Sequence, residues 1–252
     1  MAVMDEFKQE RESLKKAPFK KKMEYFWMYY KWYVVCGIIA ILLVYFTATG
    51  ILGTKDDIIN GVAVDAKAAD SMLEDLYSAF LTEYGYDAKK EQVYFHCNLH
   101  MGDNLGATMQ QTNEYISAQM FGSALDICIM KPQFFNSYAY DCNFLDLSVY
   151  FDEEVLDLFD GHIYYVDLPI AETYVERLNN NLPVDDIVIP DPTKPELMQD
   201  PHPVGIDISA FPDVMEAFGY EEGPIYLGVV KNTKRLDSIE KFLVFLSSYE
   251  RN

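Results

Sequence analysis

The stretch YVVCGIIAILLVYFTATGILG, residues 33–53, determines how the rest of the chain is arranged. No charged residue occurs between Lys31 and Lys55, which leaves 23 uncharged positions. A helix rises about 1.5 Å per residue, so roughly 20 residues cross a hydrocarbon core of about 30 Å. Because backbone polar groups in lipid must be bonded within the segment, this stretch is predicted to form one transmembrane helix.

The charges on the two sides of the apolar stretch differ in sign. Residues 1–33 hold eight Lys and Arg against five Asp and Glu, whereas residues 54–252 hold 12 against 35. Basic residues beside a span stay in the cytoplasm, which predicts a single-pass protein of the cell membrane with its N-terminus inside. We therefore expect a cytoplasmic basic tail at 1–25, an aromatic belt and transmembrane helix at 26–53, and an extracellular domain at 54–252.

Two other interpretations compete with a retained transmembrane helix. Ala48 and Gly50 have the small side chains that a signal peptidase requires, which would make the stretch a cleaved signal peptide. The polar region before the stretch is 32 residues long, however, and a signal peptide begins with a much shorter one. A lipoprotein anchor at Cys36 is disfavoured because this residue precedes most of the apolar run and follows the bulky Val35.

The outer region has the composition of a folded domain. About 200 residues follow the stretch, and half of the chain is hydrophobic, which suffices for one sizeable domain or two small lobes. The acidity argues against nucleic acid as a partner, since phosphates need Lys and Arg. Cys97, Cys128 and Cys142 cannot all pair with one another, so one disulfide with a free thiol and three buried thiols are both open.

Short apolar runs alternate with helical periodicity along the outer region. Strands are predicted at 58–64, 93–99 and 125–130, and three more at 162–166, 204–208 and 225–230. Apolar residues at helical spacing predict covering helices between the early strands, ending at Gly85 and Gly122. Residues 178–203 are rich in Asn, Asp and Pro and are predicted to be loop. The pattern predicts an α/β domain with a parallel or mixed sheet and covering helices.

Polar residues and prolines mark where the predicted helices begin. Asp70 or Ser71 is expected to be the N-cap of the first covering helix. Pro132 suits the first position of a later helix. Asp237, with Glu240 three residues on, is expected to cap the last helix.

The order of short motifs in the outer region resembles that of bacterial extracellular solute-binding proteins. Residues 122–130, GSALDICIM, resemble the small-residue turn and "DI" strand of that family. Residues 134–148 look like its "F…YA..G..L.DLS" segment, and 160–166, DGHIYYV, are similar to DGKIYGVP. Residues 226–234, YLGVVKNTK, and the helix around 242–246 resemble its late strand and helix.

The resemblance covers roughly residues 58–250 and implies a type 2 periplasmic-binding-protein-like fold. It also implies a small-molecule or peptide ligand and an ABC transporter permease, or another envelope protein, as partner. Residues 168–224, which would build a second lobe, are short and proline-rich, so a reduced variant is expected. The basic and aromatic residues 22–33 resemble the entry segment of small membrane-anchored proteins of Firmicutes.

Sheet geometry predicts where a ligand would bind. In open α/β sheets, ligands bind beyond the carboxyl ends of the strands. Aromatic rings at the start of the following helix would add apolar faces. At any single position a helix cap, a surface charge or a core ring is favoured over a ligand contact, because pocket residues are few in a protein. The candidate ligand-binding residues are Asp65, Lys67, Asn98, His100, Lys131, Phe134, Tyr138 and Asp207.

No sequence motif predicts catalysis or a cofactor. The chain has no glycine-rich phosphate loop, nucleophile elbow or HExxH motif. A metal site at His96, Cys97 and His100 is disfavoured because the two histidines would lie about 13 Å apart along a strand. Cys97 would also point to the opposite face, whereas one ion needs all its ligands within about 2.3 Å.

Two functions are compatible with these patterns. The first is a non-catalytic, membrane-anchored extracellular protein that captures a small ligand or peptide in a cleft at the strand ends. The second is an interaction or scaffold module of the cell envelope that kept the fold and lost the pocket. A deep cleft with convergent polar groups would favour the first, and a filled surface beside an exposed apolar patch the second.

Overall fold

The computed structural model of the chain describes residues 18–52, 55–102 and 106–251, and the chain divides into two compact units, 1–54 and 55–252. The first unit contains helix α1, Phe19–Leu52, of 34 residues. Its segment Tyr30–Thr47 has a mean hydropathy of 1.7, and none of its residues is buried. One N-terminal helix is therefore long and apolar enough to span a membrane, a property that anchors and signal sequences share. Most of the predicted tail lies outside the described residues.

The second unit combines a β-sheet with helices on both of its faces. Its strands are β1 (Asp56–Val64), β2 (Glu91–Leu99), β3 (Ile127–Met130), β4 (Ile163–Asp167), β5 (Pro201–Asp207) and β6 (Tyr226–Val229). Its α-helices are α2 (Asp70–Glu83), α3 (Gly106–Phe121), α4 (Pro132–Tyr140), α5 (Leu147–Tyr150), α6 (Glu153–Asp157), α7 (Leu168–Asn179), α8 (Pro212–Phe218) and α9 (Leu236–Ser248). Short 3-10 turns occupy Pro195–Leu197 and Ile208–Ala210.

The six strands form one mixed sheet in the order β2-β1-β3-β6-β5-β4. β1 pairs in parallel with β2 and β3, whereas β6 is antiparallel to β3 and β5, and β4 is antiparallel to β5. β1, β2, β3 and β5 therefore run in one direction and β4 and β6 in the other. The mixed α/β class predicted from the sequence is confirmed, and β4 and β5 extend the same sheet instead of forming a second lobe.

The sheet is buried on both faces because successive side chains of a strand point in opposite directions. Ile59 and Ala63 of β1 pack in one core beneath α2, α8 and α9, whereas Val62 and Val64 pack in the other beneath α3, α4 and α7. Phe80 illustrates the packing, since it is fully buried and its ring lies edge-on to that of Phe242, with centroids 5.2 Å apart. Truncating such a ring to alanine costs about 3–5 kcal/mol.

Parts of the segment predicted to be loop are regular structure. Residues 178–203 include the end of α7, a 3-10 turn and the start of β5. The sequence pattern does not predict α7, because Ala171 is its one buried residue and a helix with so narrow a buried face shows little apolar periodicity. β1 also begins at Asp56, two residues before the strand predicted at 58–64.

The predicted helix caps are wrong at two helices. α2 begins at Asp70 after Ala69, without a side-chain cap. α9 begins at Leu236 after Arg235, so Asp237 lies inside the first turn, where it complements the helix dipole instead of capping it. Arg235 is held by a buried carboxylate, which fixes the entry of the chain into α9. Pro132 occupies the start of α4 as predicted.

The path of the chain opens a crevice between two neighbouring strands. From β1 the chain reaches β2 through α2 on one face, and from β2 it returns to β3 through α3 on the other face. The connections that leave β1 and β3 therefore turn to opposite faces, since α4 packs in the same core as α3. Such a reversal of strand order is the position where ligands bind in open α/β sheets.

Candidate functional site

A cleft of about 510 Å³ lies at the carboxyl ends of β1 and β3. Its volume falls in the range of about 300–1,000 Å³ that is typical of small-molecule sites. Two of its walls are the connections that leave these strands, and the third is the loop 219–224 after α8. The lining comprises Asp65, Lys67, Lys131, Pro132, Gln133, Gly219, Tyr220, Glu221, Glu222, Gly223 and Pro224.

The 219–224 loop packs closely, at both of its glycines, against the segments that follow β1 and β5. Gly219 adopts the left-handed conformation with φ +69°, and a Cβ there would lie 2.3 Å from the backbone of Lys67. A Cβ at Gly223 would lie 2.5 Å from that of Ser209. Side chains larger than hydrogen do not fit at such distances, so glycine at these positions allows the loop to close one side of the cleft.

Tyr220 joins this loop to the two strands that frame the cleft. Its hydroxyl donates a hydrogen bond to the carbonyl of Val64 at 2.7 Å and lies 3.4 Å from the carbonyl of Ile129. Burial raises the pKa of the Tyr220 phenol well above its ordinary value. The phenol therefore stays protonated and acts as a donor that holds the loop in place.

Asp65 holds the loop that follows β2. It adopts a left-handed conformation with φ 57°, and its side chain is 13% exposed. Its carboxylate accepts hydrogen bonds from the backbone N–H groups of Met101 at 3.0 Å and Gly102 at 3.2 Å. His100 Nδ1 lies 3.7 Å from the same carboxylate. Most of the acceptor capacity of Asp65 is therefore used within the protein.

The lysines of the cleft differ in their surroundings. Lys67 Nζ lies 3.6 Å from Glu221 Oε1, and both side chains are well exposed, so the pair contributes little to stability. Lys131 is half-buried at the start of α4. Within the described residues, neither the Lys131 side chain nor the exposed Glu222 side chain has an ion-pair or hydrogen-bond partner. The cleft therefore presents one open positive and one open negative charge.

The structure brings three predicted site residues, Asp65, Lys67 and Lys131, together in this cleft and places the others elsewhere. Asn98 is exposed at the end of β2, and His100 lies beside Asp65 without lining the cleft. Phe134 and Tyr138 pack against the core, where the Tyr138 hydroxyl donates to Asn113 Oδ1 at 2.8 Å. Asp207 accepts a hydrogen bond from the Ser209 N–H and caps the 3-10 turn that begins at Ile208.

Sequence reasoning missed the loop that supplies Tyr220 and Glu222. Strand ends point to a site directly, but this loop follows a helix and reaches the cleft from far along the chain, 156 residues after Val64. The glycine and proline residues around it predict a turn. They do not say which part of the molecule the turn contacts.

The metal hypothesis finds no support in the described part of the chain, where no group of three His, Cys, Asp or Glu side chains could hold an ion. The ring of His96 packs on that of Tyr115, with centroids 5.2 Å apart. All three cysteines of the second unit are free thiols. Burial raises the pKa of Cys97 to about 11 and that of Cys128 further, so neither is a reactive thiolate at neutral pH.

A comparison of the chain with protein-family models, curated proteins and solved structures finds no significant match. Function in such a chain follows from the site, its charges and the fold that positions it.

Proposed function

We propose that the chain is a membrane-anchored binding protein whose α/β domain captures a small ligand or peptide in the cleft between β1 and β3. The observation that carries this proposal is a cavity of about 510 Å³ at the reversal of strand order. Pre-formed polar clefts at that position are the usual ligand sites of open α/β sheets. The resemblance of several motifs to extracellular solute-binding proteins is consistent with this function.

The state of the cleft residues favours binding over catalysis. The Tyr220 hydroxyl and the Asp65 carboxylate are bonded to backbone groups, which removes them as general acid and base. Lys131 and Glu222 are free to contact a ligand. The arrangement therefore suits recognition of charged groups without chemical conversion.

We further propose that α1 anchors the protein in the cell membrane, with the N-terminus in the cytoplasm and the domain outside. The support is the exposed apolar segment Tyr30–Thr47 and the basic residues that precede it. A captured ligand would then pass to a membrane partner such as an ABC transporter permease. Protease added to intact cells should remove the domain and leave α1 in the membrane fraction, whereas recovery of the mature chain from the culture medium would contradict the anchor.

A second candidate function is an interaction or scaffold module of the envelope. It is favoured by large apolar side chains exposed in the stretch 178–197, where Leu182 is 54%, Val188 85% and Leu197 65% exposed. Such side chains are typical of protein-contact surfaces when they form a continuous patch. This function does not require the cleft, so ligand binding discriminates between the two candidates.

The direct test is a thermal-shift screen of the full chain in detergent against sugars, amino acids and peptides. A ligand present at 100 times its dissociation constant adds about 2.7 kcal/mol of stability. We expect at least one class to raise the melting temperature in proportion to the logarithm of its concentration. Failure of every class would contradict capture of a small ligand and leave the interaction module as the better account.

A further inference from the structure

The charges that line the cleft divide into those held by neighbouring protein atoms and those left open. The Asp65 carboxylate is bonded to the backbone after β2, and Lys67 and Glu221 face each other at 3.6 Å. In the part of the chain that the structure describes, Lys131 and Glu222 lack such partners. A ligand that enters the cleft therefore meets one available ammonium group and one available carboxylate.

The two open charges belong to different walls. Lys131 lies in the connection between β3 and α4, and Glu222 lies in the loop after α8. Pro132 and Gln133, the first residues of α4, line the cleft next to Lys131, so the positive end of the helix dipole adds to the charge of that wall. One wall is thus electropositive and the other carries Glu222.

We propose that the cleft binds a small zwitterion, namely an amino acid or a short peptide with free termini. Its carboxylate contacts Lys131 and its ammonium group contacts Glu222. This inference rests on the proposed function and specifies the ligand class for the same cleft. Both contacts are charge-assisted and set the orientation of the ligand between the two walls.

The surroundings disfavour the other small-molecule classes. Residues 54–252 carry 12 basic against 35 acidic side chains, so the domain repels anions at long range. The cleft lining carries more carboxylates than ammonium groups, so it does not repel a cation, but a cation without an anionic group would leave Lys131 without a partner. A sugar would need an exposed ring face, but Tyr220, the aromatic residue of the lining, is 7% exposed. A ligand with both charges and no net charge avoids each of these penalties.

The test uses the full chain in lipid nanodiscs and isothermal titration calorimetry. The probes are free amino acids and alanine di- and tripeptides, together with glucose, maltose, succinate and putrescine as other classes. The tightest-binding zwitterion is then compared with its C-terminal amide and its N-acetyl derivative. We expect each derivative to bind about tenfold more weakly, because each removes one charge-assisted contact.

Two variants assign the contacts to residues. Lys131→Gln should weaken binding of the free zwitterion about tenfold and leave binding of its amide unchanged, since the amide no longer uses Lys131. Glu222→Gln should weaken binding of the free zwitterion about tenfold and leave binding of the N-acetyl derivative unchanged, since that derivative no longer uses Glu222. Lys234→Gln and Glu250→Gln neutralise exposed charges outside the cleft and should change neither affinity. Thermal denaturation of each variant verifies that it is folded.

The outcomes answer two separate questions, namely whether the cleft binds a ligand at all and whether that ligand is a zwitterion. Binding of a sugar, succinate or putrescine without binding of a zwitterion would overturn this inference and leave the proposed function standing. Zwitterion binding that Lys131→Gln and Glu222→Gln leave undiminished would also overturn it. Failure of every probe would contradict the proposed function itself.

Discussion

The charged side chains at the two ends of β1 and β3 differ in whether the protein supplies them with partners. At the end where these strands begin, Asp126 is fully buried and accepts hydrogen bonds from the Asn60 N–H at 2.8 Å, from Arg235 at 2.9 Å and from the Thr233 hydroxyl. At the end where they finish, Lys131 and Glu222 are left without partners in the described residues. We call these the closed end and the cleft end.

This difference indicates that the charges at the closed end stabilise the fold, whereas those at the cleft end are available for ligand binding. A buried charge is tolerated when every hydrogen-bonding position is used, and it then locks the elements that supply the partners. At the closed end these elements are β1, the start of β3 and the entry to α9. A charge at the cleft end that has no partner adds little to folding, and it stays available to a ligand.

Replacing Asp126 by alanine should destabilise the protein by about 3–5 kcal/mol, because Arg235 loses its partner and the Asn60 N–H is left unpaired. Urea denaturation of the full chain in detergent measures the change. Glu250→Ala, an exposed carboxylate outside both ends, should stay within about 0.5 kcal/mol of the wild type. A loss below 1 kcal/mol for Asp126→Ala would show that the closed end does not have the stabilising role assigned to it.

Two glycine substitutions compare a cleft wall with an open turn. Gly85 and Gly219 both have left-handed φ angles, +72° and +69°, so alanine costs about 1–2 kcal/mol at either position. A Cβ at Gly85 meets nothing within 4 Å, whereas one at Gly219 lies 2.3 Å from the Lys67 backbone. Gly219→Ala should therefore cost more than about 2 kcal/mol and weaken ligand binding, while Gly85→Ala leaves binding intact. If the two substitutions had equal effects on stability and on ligand binding, close packing of the loop 219–224 would not be what shapes the cleft.

The pH dependence of stability should include a contribution from His202 at the start of β5, a separate site on the same edge of the sheet as the closed end. Its Nδ1 contacts Asp146, and its Nε2 lies 3.4 Å from Asp200, which raises the pKa of the imidazole. A raised pKa in the folded state means that this stabilisation is present below the unfolded value of about 6.5 and is lost as pH rises through the folded value.

His202→Gln should remove this contribution, which for a partly exposed pair amounts to at most about 1 kcal/mol. Melting temperatures between pH 6 and pH 9 should fall more steeply for the wild type than for the variant. Parallel profiles would show that His202 is not linked to folding, and a wild type that gains stability relative to the variant with rising pH would reverse the assigned sign.

The smallest expected effect on stability is that of Lys131→Gln. Since the Lys131 side chain has no partner among the described residues, its neutralisation should change the free energy of unfolding by less than about 0.5 kcal/mol. Denaturation under the conditions used for Asp126→Ala provides the comparison. A loss of 2 kcal/mol or more would show that Lys131 stabilises the fold and is not an open charge of the cleft.

The sequence predicted much of the fold because the strand signals are local. The apolar run at 58–64 is bounded by polar residues, and both faces of β1 are buried, so the run is continuous instead of alternating. α7 was missed because most of its surface is exposed. The caps were wrong because Arg235 is placed by its contact with Asp126, a tertiary interaction that local patterns do not contain.

The site residues likewise divide into those that local sequence signals reveal and those that only tertiary contacts bring to the cleft. Asp65, Lys67 and Lys131 follow strands, so strand prediction was enough to find them. Phe134 and Tyr138 also follow a strand, but the orientation of α4 turns their rings towards the core. Glu222 reaches the cleft through the packing of Gly219 and Tyr220 on distant strand ends. Such contacts follow from tertiary structure and leave little trace in nearby residues.

The central claim is that the open charges at the cleft end serve a ligand and not the fold. The most direct measurement is the unfolding free energy of the full chain and of the double variant Lys131→Gln/Glu222→Gln, each with and without the tightest-binding zwitterion. The account predicts equal stability without ligand and a ligand-induced gain in the wild type that the double variant largely loses. A double variant that is less stable on its own, or one that keeps the full gain, would contradict it.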